Sequence, residues 1–169
     1  VATLGAVQEI AAGRKLRVVD IGSYPPHMFN ALEALGHDVY GVTSAHEPID
    51  HPNMARADIE TDTLPWPDGF FDLVLFAEVI EHLPHSPVGA LREFRRLVRP
   101  QGHIVITTPN VASARQRVRL LFGRSVMYPI DAYFEHDGVG SIMFHRHNRE
   151  YTASELATLL ARTDWHVDR

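Results

Sequence analysis

Asp20, Gly22 and Ser23 follow the apolar run Leu16–Val19 and precede the amphipathic run Met28, Phe29, Leu32, Leu35, which closes at Gly36. An acid and a glycine turn between a buried strand and a helix form the opening of a doubly wound, cofactor-binding fold. The carboxylate can take a cationic or hydroxyl group, and the first helix N-terminus favours an anion. Glu78, Glu81 and His82, at i, i+3 and i+4, carry the donor atoms of a metal set. His136, His145 and His147 fall in an irregular stretch, and the last two face one way on an extended segment. Either His145 or His147 has the chemistry of a general base. Arg115, Arg117, Arg119 and Arg124 lie in a stretch free of acids, which reads as a solvated helix face or as a patch for an anionic acceptor. Trp66, between two prolines, reads as a core plug in preference to an adenine platform.

The elements that must hold these side chains alternate. Val7, Ile10 and Ala11 suggest a leading helix ending at Gly13. Leu16–Ile21 reads as a strand, and Pro26–Leu35 as a helix whose start proline sets. Asp38–Thr43 and Ala55–Ile59 read as the second and third strands, separated by a proline-containing loop. Phe71–Phe76 is a near-continuous apolar run, as in a strand covered on both faces. Val88–Val98 is an amphipathic helix ended by Pro100-Gln101-Gly102, and His103–Thr108 is a fifth strand. Residues 111–150 break the pattern and form an irregular insertion where a substrate cap fits. Thr152–Ala161 resumes as a helix, with Thr152 and Glu155 spaced as a capping box. The alternation predicts an α/β architecture: a doubly wound, mostly parallel sheet with helices on both faces.

The chain has 169 residues, 45% hydrophobic and 22% charged, which suits one soluble domain with a sizeable core. Its net charge of −5 offers nucleic acid and anionic membranes no overall attraction. Without cysteine there are no disulfides, thiolate metal sites or cysteine nucleophile. No apolar run reaches the length of a membrane span and no signal pattern opens the chain, so the default address is cytoplasmic. The start at Val1 without Met, and the stop at Arg169 within a new apolar alternation, suggest a piece of a longer protein. Oligomeric state has no sequence signal.

Five motifs in order resemble the class I S-adenosylmethionine-dependent methyltransferases, particularly their small-molecule group. Val18–Pro26 is similar to the family's first motif. Asp58-Ile59-Glu60 with Leu64–Val74 is similar to its acid, Leu-Pro and Phe-Asp run. Glu78–Leu83, Leu97–Ile106 and the stretch from His147 to Leu156 resemble its later segments. The resemblance spans roughly Leu16 to Trp165 and implies a Rossmann-like domain that uses S-adenosylmethionine. It places Asp20, Gly22, Ser23 and Tyr24 at the methionine end of the cofactor, with Ala77 and Glu78 where backbone approaches that moiety. It places Asp58 and Ile59 beside adenine, and Thr43 or Ser44 at the ribose. It treats Glu81-His82 as ordinary helix-start residues, so no metal is expected. The implied reaction is methyl transfer to oxygen or nitrogen of a small acceptor, with His147 or His145 as base where a proton must leave.

The pattern is broken at three places. Tyr24 and Pro26 stand where the family has glycines, and Thr43 stands where it has the ribose-binding acid. Cβ atoms and two prolines in the loop oppose close backbone approach and remove N–H donors. A second reading is therefore a catalytically inactive, methyltransferase-like binding or scaffold module. A nicotinamide-dinucleotide oxidoreductase shares the strand–glycine–helix opening but requires a G-x-G-x-x-G spacing that is absent here.

Overall fold

The computed structural model describes residues 2–44, 47, 49, 51–127 and 147–168. Five strands form one sheet: β1 (Arg17–Ile21), β2 (Asp38–Thr43), β3 (Met54–Arg56), β4 (Phe71–Ala77) and β5 (Val98–Thr107). Their order is β3-β2-β1-β4-β5, and every pairing is parallel. The helices are α1 (Ala2–Ala11), α2 (His27–Ala34), α3 (Pro87–Leu97), α4 (Ala114–Leu121) and α5 (Ala153–Ala161). A short 3-10 turn, Ile80–His82, follows β4.

Alternation along the strands divides the core in two. Val18, Val39, Leu73 and Leu75 pack on one face with Val7 and Ala11 of α1 and Phe29 and Leu32 of α2. Val19, Ile21, Val42, Val74 and Phe76 pack on the other with Ala90, Leu91, Phe94 and Leu97 of α3 and Leu160 of α5. The four central residues of β4, Leu73–Phe76, are fully buried, as expected of a strand covered on both sides. The α/β doubly wound architecture read from the sequence is the one observed.

Two boundaries differ from the sequence reading by more than two residues. The third strand is Met54–Arg56, not Ala55–Ile59. Past it, the Asp58 carboxylate accepts from the N–H of Glu60 at 3.0 Å, and the Asp58 carbonyl accepts from Asp62 at 2.8 Å. This local turn takes the backbone groups that would have extended the ladder. The second difference is that Pro100-Gln101-Gly102 does not separate α3 from a strand starting at His103. Strand β5 begins at Val98, directly after the helix. Its register against β4 jumps from Phe71↔Val98 to Leu73↔His103, with Gln101 at φ 62°. The turn residues are absorbed as a bulge, because pairing on either side of them overrides their turn preference.

The predicted capping box holds, whereas Pro26 lies just outside α2 as its N-cap residue. Thr152 and Glu155 form a reciprocal capping box at the start of α5. Trp66 meets Tyr40 and Phe71 edge-on, at 5.9 and 5.2 Å between ring centroids, and so plugs the core. In the described part of the 111–150 stretch, α4 buries none of its residues. Arg115, Arg117, Arg119 and Arg124 are solvent-exposed, in keeping with the solvated-face reading.

The turn Leu64–Gly69 is fastened by one arginine of α3 that lies off the helix's apolar stripe. The Arg96 guanidinium donates to the carbonyls of Trp66 (2.9 Å) and Leu64 (3.2 Å), to Asp68 (2.8 Å) and to Glu93 (2.6 Å). Glu93 also accepts from the N–H of Leu64 at 2.8 Å. The hydrogen bond from Arg96 holds the Glu93 carboxyl below its ordinary range. Replacing Arg96 by Ala strands a half-buried carboxylate and two carbonyls, so Arg96→Ala is expected to cost about 2 kcal/mol in chemical denaturation. Arg96→Lys should recover only part of that, because an ammonium lacks the planar fork.

Candidate functional site

The C-terminal ends of β1 and β4 flank the point where strand order reverses, the place where open α/β sheets bind ligands. Asp20 lies at the end of β1 with only 4% of its surface exposed. Burial pushes its carboxyl up to about 7, against the downward pull of a hydrogen bond from the Phe29 backbone in the first turn of α2. Asp20 is thus a buried acid that a cation can ionise.

Gly22 and Ser23 both donate their N–H groups to the Val42 carbonyl, at 2.9 and 3.0 Å, and the Ser23 hydroxyl donates to the same oxygen at 3.4 Å. Gly22 has φ +78°, and a Cβ there would lie 2.5 Å from Cγ2 of Val79. The loops after β1 and β4 therefore pack directly on each other. Gly41, which the sequence reading passed over, serves the same loop. A Cβ on it would sit 2.6 Å from the Ser23 hydroxyl, and an isolated glycine inside a strand was the available signal. Tyr24 is exposed, Pro26 is the N-cap residue of α2 without a capping side chain, and His27 donates its N–H to the Pro25 carbonyl at 2.7 Å.

Thr43 ends β2. It is 2% exposed, and its hydroxyl is buried without a hydrogen-bond partner. Ser44 follows half-buried. The Thr43 carbonyl accepts from the N–H of Ala57 at 3.0 Å, which brings the exposed carboxylate of Asp58 and the half-buried Ile59 alongside the end of β2. Ala77 ends β4, and the exposed Glu78 beyond it has φ 55°, a left-handed conformation rare outside glycine. The structure thus brings Asp20, Gly22, Ser23, Thr43, Ser44, Ala77 and Glu78 to one edge of the sheet, with Asp58 and Ile59 on its β3 side.

His147 packs against His82, with ring centroids 5.1 Å apart, and shares a 3.0 Å hydrogen bond with Glu150. His145 and His136 lie outside the described residues. Glu81, His82 and His147 bring one ligand atom each within 4.8 Å of one another. The set written from spacing alone had Glu78 in place of His147. Glu78 does not join this cluster, whereas His147 arrives from 65 residues downstream of His82.

A family model described as "Methyltransferase domain" matches residues 4–169. The chain belongs to the class I S-adenosylmethionine-dependent methyltransferase family. It is 28% identical over 138 residues to a "probable S-adenosylmethionine-dependent methyltransferase" of Mycolicibacterium smegmatis, covering 82% of this chain and 45% of that protein. A protein of the same description from Mycobacterium tuberculosis is 28% identical over 130 residues, covering 77% and 39%. The chain thus spans less than half the length of these curated relatives. Its fold is similar to that of a methyltransferase from Mesorhizobium loti, with a TM-score of 0.68 at 18% identity and coverage of 100% and 83%. One from Aquifex aeolicus gives 0.66 at 16% identity, covering 99% and 81%.

The residues present fit the family's cofactor in part. The unpartnered Thr43 hydroxyl is a buried polar atom that a ribose hydroxyl would satisfy. The Asp20 carboxyl suits an ammonium group. The loop amides suit a carboxylate less well, because Gly22 and Ser23 already donate to Val42.

Two outcomes follow from this geometry. The folded-state value for Asp20, about 7, lies above its unfolded value of 3.8, so the native state binds more protons between them. The contribution of this group to stability is then greatest below about pH 4, falls as pH rises towards 7 and levels off beyond, by an amount on the order of 4 kcal/mol. Asp20→Asn should flatten that slope in pH-dependent denaturation of the ligand-free protein. Gly22→Ala combines a left-handed φ with the Val79 clash and is expected to cost about 1–3 kcal/mol, measured by the same method.

Proposed function

We propose that this chain carries the catalytic domain of a methyltransferase that transfers the S-adenosylmethionine methyl group to oxygen or nitrogen of a small-molecule acceptor. The observation that carries the reading is the pair formed by the buried Asp20 carboxyl and the unpartnered Thr43 hydroxyl, at the strand ends beside the switch point. When bound, the cofactor supplies an electrophilic methyl group on a sulfonium. Asp20 holds the ammonium, Thr43 with Ser44 takes a ribose hydroxyl, and Asp58 with Ile59 borders the adenine. Ala77 and Glu78 present backbone to the methionine end, and the strained φ of Glu78 fixes that presentation. His147, beside the turn that follows β4, stands on the acceptor side, and much of the catalytic power in such a site comes from positioning. Nucleic acid is the weaker acceptor class for a chain of net charge −5. Among the described residues no helix is long and apolar enough to cross a membrane.

The second reading, a non-catalytic module, draws on the loop: of its N–H donors, those of Gly22 and Ser23 are consumed by Val42, and Pro25 and Pro26 supply none. Calorimetry with S-adenosylhomocysteine separates the two. In the enzyme reading the ligand binds and raises the melting temperature. Its ammonium ionises Asp20, so binding releases a proton and tightens as pH rises to about 7, then levels off. Comparing buffers of different ionisation enthalpy reads that proton directly. Asp20→Asn should weaken binding about tenfold or more and remove the pH dependence. No heat at millimolar ligand would leave the module reading standing.

A further inference from the structure

The turn after β4 and the segment 147–150 meet in a cluster that cofactor binding does not use. Ile80–His82 is held in place by Ile80, which is fully buried, and by segment 147–149, which folds back onto it. The N–H groups of Asn148 and Arg149 donate to the Glu81 carbonyl at 2.7 and 3.2 Å, and the Asn148 side chain donates to the His82 carbonyl at 2.7 Å. Four bearers of ligand chemistry converge there. Glu81 is 1% exposed; one of its oxygens accepts from the Thr108 hydroxyl at 2.9 Å, and the other lies 3.8 Å from Nε2 of His82. His147 stands beside His82, and its Nδ1 lies 3.0 Å from a Glu150 oxygen. The second Glu150 oxygen is buried with no partner.

Among the described residues, two carboxylates and two half-buried imidazoles meet here, the side-chain chemistry that a divalent cation takes. A carboxylate as buried as Glu81 calls for compensating positive charge, and besides the Thr108 hydroxyl it has an imidazole at 3.8 Å, the two kinds of neighbour that a ligating carboxylate keeps. The Glu150–His147 contact is the one that orients a metal-bound imidazole: a proton on Nδ1 is held by the carboxylate, and Nε2 keeps its lone pair for an ion. Donors on one tetrahedral ion lie about 3.4 Å apart; Glu81 and His82 are 3.8 Å apart and all three ligand atoms lie within 4.8 Å, so an ion would draw them together by up to about 1.4 Å.

We infer that Glu81, His82 and His147 bind a borderline divalent cation, of the Zn²⁺ or Co²⁺ type, whose open positions take a hydroxyl oxygen of the acceptor. The inference rests on the methyltransferase reading for the acceptor, though not for the metal. Two imidazoles and one carboxylate leave at least one position vacant on such an ion, the arrangement of catalytic sites. A hydroxyl bound there gives up its proton to water far more readily than when free, and the oxygen is held as an anion three residues from Glu78. This assigns an oxygen acceptor in preference to nitrogen. It also makes His147 a metal ligand in place of a general base.

Tag-free protein stripped with a chelator and titrated with Co²⁺ should show one equivalent bound and visible bands of a low-coordinate ion, which Zn²⁺ displaces. Acetohydroxamate, an oxygen-donor probe, should change those bands. His82→Ala and His147→Ala should abolish them, and Glu150→Gln should weaken binding by about 10- to 100-fold. Long-range ¹⁵N spectra of the unaltered protein should show Zn²⁺ shifting the ring nitrogens of both histidines, so the assignment survives if a variant misfolds. Absence of Co²⁺ binding, binding unaffected by both substitutions, or bands indifferent to acetohydroxamate would each overturn the inference. S-adenosylhomocysteine binding, measured on the same samples, reports separately: if it persists without metal binding, only the metal site fails, and if metal binds while it does not, the enzyme reading fails.

Discussion

The carbonyl oxygen of Val42 is the constraint on which the mouth of this domain depends. It accepts from the N–H of Gly22, the N–H of Ser23 and the Ser23 hydroxyl, and so pins the loop after β1 to the end of β2. A loop held by the sheet need not be shaped by a run of glycines, which is how Tyr24, Pro25 and Pro26 are tolerated. The pinning also dictates residues elsewhere. Gly41 must lack a side chain because the Ser23 hydroxyl occupies that space, and Gly22 must lack one because Val79 does. With the loop fixed, α2 starts at His27 and delivers the Phe29 backbone to Asp20. The environment of the central acid therefore follows from a single backbone acceptor one strand away.

The architecture was legible wherever local preference and tertiary demand agree. β1, β2 and β4 are apolar, β-favouring runs that the sheet then buries, and the Thr152–Glu155 box is a local device that works in any context. Legibility failed where they disagree. Pro100-Gln101-Gly102 carries strong turn chemistry, yet pairing with β4 on both sides keeps β5 continuous around it. Asp58 follows a strand-like run but uses its own carboxylate to start a turn. In the site, Asp20, Gly22 and Thr43 could be placed because they end strands, and strand ends are where such sheets bind. The burial of the Thr43 hydroxyl, the clamp made by Arg96 and the pairing of His147 with His82 depend on chain segments far apart in sequence, and no spacing rule encodes them.

Glu78 connects the two halves of the mouth. Its N–H donates to the Thr107 carbonyl at 2.8 Å, so it is still tethered to the sheet when its backbone turns left-handed. That reversal sets Val79 against Gly22 of the β1 loop and drops Ile80 into the core, which turns Glu81 inward towards Thr108. An ordinary extended residue at position 78 would continue the strand and separate these groups. The strain of order 1 kcal/mol that a non-glycine residue bears at such a φ is small beside the burial of Ile80 and the hydrogen bonds made by Glu81. Strain at one residue thus positions two different groups, a loop packed on Gly22 and a buried carboxylate beside two imidazoles, on either side of one strand end. Their separation is fixed by a few residues of backbone, and a rigid distance of that kind is what the proposed in-line transfer requires.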